Sequence, residues 1–301
     1  MNAAVVEALE YYATPARFTD LGAYAALARE LPEDLAALCR IVQGLVVHPY
    51  LGHLYGLQPN PSRLGELELR PVQEMLDRVL ALEAKPLASP RAPSHRLLGT
   101  CRHFSVLLCA FLRARGVPAR PRCGFASWFE PSRFTDHWVC EVWDRTRSAW
   151  RQVDAQLDAE QREACGIDFD PLDVPRDRFL LAGEAWQACR QEHANPKDFG
   201  ILELRGLWFV RGNVIRDLAA LAKRELLPWD GWGIMADEHE SDAPELELLD
   251  RAAALTVASD ATHTERLRFQ SSEPGVRVPR AVIDFNLNGA RIELPLGISN
   301  G

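Results

Sequence analysis

The chain has 301 residues, 47% of them apolar and 25% charged, with a formal net charge of -8. A globular chain of this length buries roughly 75% of the surface its extended form exposes, so the composition describes a protein that folds around its own core. The net negative charge and the lack of a dense Lys/Arg block argue against nucleic acid as a partner. No run reaches the roughly 20 apolar residues needed to cross a bilayer, and a membrane partner is not expected. The opening MNAAVVEALEYYATPARF carries Glu7 and Glu10 where a secretory signal would be basic and then apolar, which makes a cytoplasmic location the expectation. Seven cysteines, at 39, 101, 109, 123, 140, 165 and 189, form neither a CxxC pair nor a Cys/His comb of zinc spacing. They read as reduced thiols, most of them small core residues. No cofactor motif is present, and none is expected.

The first eighty-five residues read as helices. Val5, Leu9 and Tyr12, then Leu21, Tyr24, Leu27 and Ala28, then Leu35, Leu38, Ile41, Val42 and Leu45 fall at helical spacing. Asp20 is placed to cap the second of these segments. A fourth follows, through Val72, Met75, Leu76, Val79 and Leu82. Between Lys85 and Thr100, Pro86, Pro90, Pro93 and Gly99 then predict a long surface loop.

That loop ends on Cys101. The stretch CRHFSVLLCAFLRARGVPAR reads as a buried helix stopped at Gly116, which puts Cys101 in its first turn. Unbonded N-H groups and the positive helix end there stabilise a thiolate and face any oxyanion formed beside it. Next, ARPRCGFASWF reads as a strand broken at Gly124, and HWVCEVW and WRQVD as two strands of a hairpin. A turn centred between Arg145 and Thr146 would set His137 directly opposite Asp154, with Cβ atoms about 4.5 to 5.5 Å apart. A cysteine, a histidine that takes its proton and an aspartate that orients the imidazole make an acyl-transfer set. Four neighbouring groups matter less. His103 reads as packing, Asp136 as facing the other side of its strand, and His95 and Trp128 as candidate substrate contacts.

In these three segments the sequence resembles the transglutaminase-like superfamily, with its papain-like cysteine-histidine-aspartate core. GTCRHFSVLLCAFLRARGVPARPRCGF resembles the family's nucleophile helix, DHWVCEVWD its histidine strand and WRQVDAQLD its aspartate strand, covering roughly Gly99 to Asp158. The resemblance implies Cys101, His137 and Asp154 as catalytic residues, a thioester intermediate, and a peptide, protein side chain or small amide as substrate. Water or an amine co-substrate would then receive the acyl group. Calcium dependence does not carry over, because the chain has no EF-hand-like loop.

Beyond this region, Phe179 to Glu192 and the run from Leu207 to Leu226 read as helices, the acidic run DEHESDAPELELLD as a solvated lead into another, and VIDF and RIEL as short strands. The expected fold is α+β, a transglutaminase-like or papain-like core with a helix-borne cysteine packed on an antiparallel sheet and helical regions on either side. The expected organisation is an N-terminal helical region 1-85, a catalytic core 86-175, and a mainly helical extension 176-301. The expected function is a cysteine-dependent hydrolase, cysteine protease or amidotransferase. The alternative is a peptide-binding or scaffold protein with the same core but no turnover.

Overall fold

The computed structural model describes residues 2-58, 60-236 and 238-294; the end of the expected C-terminal extension, 295-301, lies outside them. The architecture is α+β, with a central sheet flanked by helices. In chain order the elements are α1 (Ala3–Tyr12), α2 (Ala25–Arg29), α3 (Leu35–Leu45), β1 (Val46–Val47), α4 (Val72–Leu82), β2 (Leu97–Leu98) and α5 (Cys101–Arg113). Then come β3 (Ala119–Ala126), β4 (Phe134–Asp144), β5 (Ala149–Val153), α6 (Ala159–Ala164), β6 (Phe179–Leu181), α7 (Ala182–Arg190), β7 (Phe199–Ile201) and β8 (Leu204–Arg205). The chain ends with α8 (Leu207–Leu221), β9 (Asp230–Gly231), α9 (Ala243–Val257), α10 (His263–Ser272), β10 (Ala281–Asp284) and β11 (Ala290–Glu293).

The described residues fall into two compact units, one within 9-121 and 138-176, the other within 2-8, 122-137 and 177-294. The strands β3 and β4 each contribute residues to both.

In the first unit, α3 starts where the Asp34 carboxylate accepts from the Ala37 N-H, and buries Leu38, Ile41, Val42 and Leu45 along one face. That face joins Met75, Leu76 and Val79 of α4, the apolar residues of α5, and Cys140, Val142 and Val153 of the β4–β5 hairpin in one core. The loop before Cys101 is less exposed than its composition suggests. Its last part pairs in parallel, Leu97 with Val47's neighbour Val46 and Leu98 with Val47. Arg91, 2% exposed, donates to the carbonyls of Glu83, Lys85, Pro86 and Ser89 and so fills the loop with its own guanidinium. A buried ion pair, Arg120 with Glu141 at 2.7 Å, is roofed by the Trp150 ring, 4.1 Å from the guanidinium.

In the second unit, α7, α8 and α9 pack on one another. Their polar anchor is Asp217, which accepts from both Arg122 Nε and Nη2, at 3.0 and 2.8 Å, and from the Cys123 N-H. Losing one member of such a buried pair costs about 3-5 kcal/mol. β3 pairs antiparallel with β6, β4 parallel with β7, and β7 antiparallel with β8.

Two sequence expectations change here. Phe179–Leu181 is strand, not helix, because it pairs with β3, and α7 begins only where Glu184 accepts from the Leu181 N-H. β3 runs through Gly124 without a break; a Cβ at that position would lie 2.2 Å from the Leu180 carbonyl oxygen, so the glycine serves the close approach of β6.

Two substitutions separate a required glycine from a dispensable one. Gly124→Ala is expected to lower stability by about 1-3 kcal/mol, the usual cost of overpacking. Gly44→Ala, in α3 where nothing lies within 4 Å of the new Cβ, is expected to raise stability by about 1 kcal/mol. Denaturant midpoints of the two variants check both signs.

Candidate active site

Cys101 is the first residue of α5, a helix whose thirteen residues are all buried. Thr100 is extended, and His103, three residues on, closes the helix start: its Nδ1 accepts the Thr100 backbone N-H at 3.1 Å. Gly99 makes room for this, since a Cβ there would lie 2.8 Å from Val46 Cγ1 and 2.9 Å from His103 Cβ. Burial, and then the neighbouring Arg102, hold the His103 imidazole well below the ordinary histidine pKa. A neutral ring is what the cap needs, because protonated Nδ1 would face an N-H donor.

One turn along, the Ser105 hydroxyl lies 3.0 Å from both the Cys101 and Trp138 carbonyl oxygens and shares its single proton between them. This fixes the Trp138 peptide of β4 beside the first turn of α5. Arg102 points elsewhere, donating from Nη2 to the Arg70 carbonyl at 2.8 Å. The Cys101 side chain keeps 7% exposure.

Asp154 follows the last residue of β5 and is 1% exposed. Its Oδ1 accepts the Gln156 N-H at 2.9 Å, and its own N-H donates to the Pro171 carbonyl. The hairpin register differs from the sequence expectation. Cys140 pairs with Val153 and Asp144 with Ala149, leaving Arg145–Ser148 as the turn, so His137 and Asp154 are not direct cross-strand partners. The cause lies in the turn: Asp144 Oδ1 accepts from both the Thr146 and Arg147 N-H groups, and Ser148 takes the left-handed φ of 49°. This Asp-capped turn centres the hairpin between Thr146 and Arg147, one residue later than expected.

His137 lies on β4, 2% exposed, among the rings of Trp128, Phe129 and Phe179, at centroid distances of 5.5, 5.1 and 6.3 Å. The expected Trp128 is thus a packing partner of His137, itself buried. Asp136 accepts from Asn213 Nδ2 at 2.8 Å; burial raises its pKa while Arg216 and Asn213 oppose the rise. The other expected contact residue, His95, is half exposed and lies 3.8 Å from Glu83. The roles of His103 and Ser105 were missed in the sequence. A histidine three residues after Thr100 occupies the frame of a capping box, whereas nothing in the sequence marks Ser105. No group of three or more His, Cys, Asp or Glu among the described residues is arranged to hold a metal ion.

Comparison with known proteins places a family name on this region. Residues 83-155 match the transglutaminase-like superfamily core. This transglutaminase-like segment contains Cys101, His137 and Asp154 and ends one residue after the aspartate. No curated protein matches the chain. A solved structure from Cytophaga hutchinsonii, described as a proposed cysteine protease, is similar over 60% of this chain at 17% identity and a TM-score of 0.33. The matched region spans 46% of that protein's chain.

The depressed His103 pKa has a definite sign. The unfolded chain takes up the proton first, near the ordinary value of about 6.5, so the stability this group contributes is complete above that value and is lost as pH falls below it. The unfolding free energy is expected to fall as pH is lowered from 7.5 to 5.5, by up to about 1.4 kcal/mol per pH unit from this one group. His103→Gln, which keeps an acceptor but cannot titrate in this range, is expected to flatten that slope; equal slopes would contradict the assignment.

Proposed function

We propose that this chain is a cysteine-dependent acyl-transfer enzyme acting on a peptide-like or amide substrate through a thioester on Cys101. The observation that carries the reading is the position of Cys101 as the first residue of a fully buried helix, within the segment that matches the transglutaminase-like core. A helix start supplies what a nucleophilic thiolate requires, a positive end and outward N-H groups.

In this reading, His137 removes the thiol proton as Cys101 Sγ attacks the acyl carbon. The oxyanion of the tetrahedral intermediate is met by N-H groups of the first turn of α5. The resulting imidazolium protonates the leaving amine, the C-N bond breaks and the acyl group remains on sulfur. Water or a second amine then attacks the thioester, His137 takes up the attacking proton, and the sulfur leaves as thiolate. Asp154 orients the imidazole and stabilises its charged form. The β4–β5 ladder ends at Cys140 opposite Val153, one residue before Asp154, so the role of Asp154 rests on its place in the segment that matches the transglutaminase-like core. The aromatic rings around His137 give the imidazole an apolar setting within its own unit.

Incubation of the protein with a peptide and amide library, with and without primary amines, tests the reading by product mass. Turnover is expected in wild type and is expected to vanish in Cys101→Ser. His137→Ala is expected to lose at least about 100-fold, within the range of general base removal, and Asp154→Asn less. Full activity of His137→Ala, or no turnover by wild type with a ligand retained equally by wild type and Cys101→Ser, would sink the assignment and favour a binding protein.

A further inference from the structure

The first unit holds a chain of side-chain hydrogen bonds that the catalytic reading does not use, running outward from the segment that carries Asp154. Gln156, whose N-H is bonded to the Asp154 carboxylate, donates from Nε2 to Gln161 Oε1 at 3.0 Å. Gln161 donates from Nε2 to the Tyr55 hydroxyl at 2.9 Å, and that hydroxyl donates to Asp158 Oδ2 at 2.5 Å. The other Asp158 oxygen accepts the Gln161 N-H and starts α6. Gln156 and Gln161 are 2% and 1% exposed, so these amides have no water to replace a lost partner, and leaving one unpaired is costly.

The donors and acceptors leave little freedom of orientation. Because Gln161 Oε1 receives Gln156, its Nε2 must face Tyr55; because Tyr55 receives Gln161, its own proton must go to Asp158. Tyr55 therefore fixes both ends. Its ring also lies under the Arg96 guanidinium, 5.8 Å from the ring centroid, at a residue five positions before Cys101. One side chain thus touches the segment leading to the nucleophile and, through two glutamines, the segment holding the acid.

We propose that Tyr55, acting through Gln161 and Gln156, is a positioning residue for Asp154. This rests on the reading of Asp154 as the group that orients His137 and favours its charged form. Tyr55 touches no substrate; it fixes the loop whose backbone N-H holds the carboxylate. Loosening it makes the imidazolium less favourable, so the Cys101 thiolate forms at higher pH. A network of this kind transmits such an effect because each bond constrains the next.

The test is the rate of Cys101 alkylation by iodoacetamide between pH 5 and 9, read by peptide mass, in the full chain. Wild type is compared with Tyr55→Phe, Asp154→Asn and Val79→Ala, the last a buried residue of α4 outside the network. Tyr55→Phe removes only the hydroxyl and keeps the ring against Arg96. The expected result is that Asp154→Asn and Tyr55→Phe both move the labelling midpoint to higher pH, Tyr55→Phe by less. At neutral pH its labelling is expected to be about threefold to tenfold slower, the range one net hydrogen bond supports. Val79→Ala is expected to lose stability and keep the wild-type profile. Should Tyr55→Phe fail to fold, Gln161→Met breaks the same link with similar bulk and must give the same shift. A Tyr55→Phe profile matching wild type, while Asp154→Asn is shifted, overturns the Tyr55 proposal and leaves the catalytic reading intact. An unshifted Asp154→Asn overturns both.

Discussion

A helix buried along its whole length dominates the structure around Cys101. No residue of α5 reaches solvent freely, so every polar group it carries needs a partner within the protein. Arg113 donates to the Ala119 carbonyl and the Thr19 hydroxyl, Arg102 to the Arg70 carbonyl, and His103 turns back to the N-H of Thr100. Those partners lie in four separate stretches of chain. The helix can adopt its place only when each stretch has adopted its own, which ties the position of the cysteine to the folding of the whole unit. A thiol at the start of such a helix is held rigidly, a condition for catalysis by orientation.

The same constraint explains the polar interior of the hairpin. Glu141 on β4 is 1% exposed and is met by Arg120, which is in turn covered by Trp150. A buried pair of this kind contributes little net stability against an apolar replacement. What it does here is fix which face of the hairpin is polar. On the opposite face, Cys140, Val142 and Val153 join the apolar core with α5. Burial pushes the Cys140 thiol well above the usual range, and Cys39 up to about 12. Both are packing thiols, unlike one placed at a helix end.

The buried helix was legible in the sequence because its signals are local: the proline-rich loop before it, an unbroken apolar run, and Gly116 after it. The two hairpin strands were legible for the same reason. Their register was not, since it depends on the Asp144 side chain closing a four-residue turn with Ser148 in the left-handed region. The strand at Phe179–Leu181 was hidden by a helical pattern running straight through it; pairing with β3 outweighs local propensity there. Gly124 looked like an interruption because a glycine in a strand reads as a break unless the neighbouring backbone is known. His103 looked like filler because its work is done through a hydrogen bond to the backbone, which composition cannot reveal. The Tyr55 network joins residues about a hundred positions apart and leaves no local trace.

The central claim, that Cys101 carries an acyl group during turnover, is tested most directly by trapping that intermediate. The protein is mixed with the peptide and amide library, quenched in acid, and mapped by peptide mass with and without hydroxylamine, which cleaves thioesters. The account predicts an adduct on the peptide containing Cys101 that hydroxylamine removes and that Cys101→Ser lacks. An adduct distributed over other cysteines, or a ligand held without covalent attachment and equally by Cys101→Ser, would contradict it.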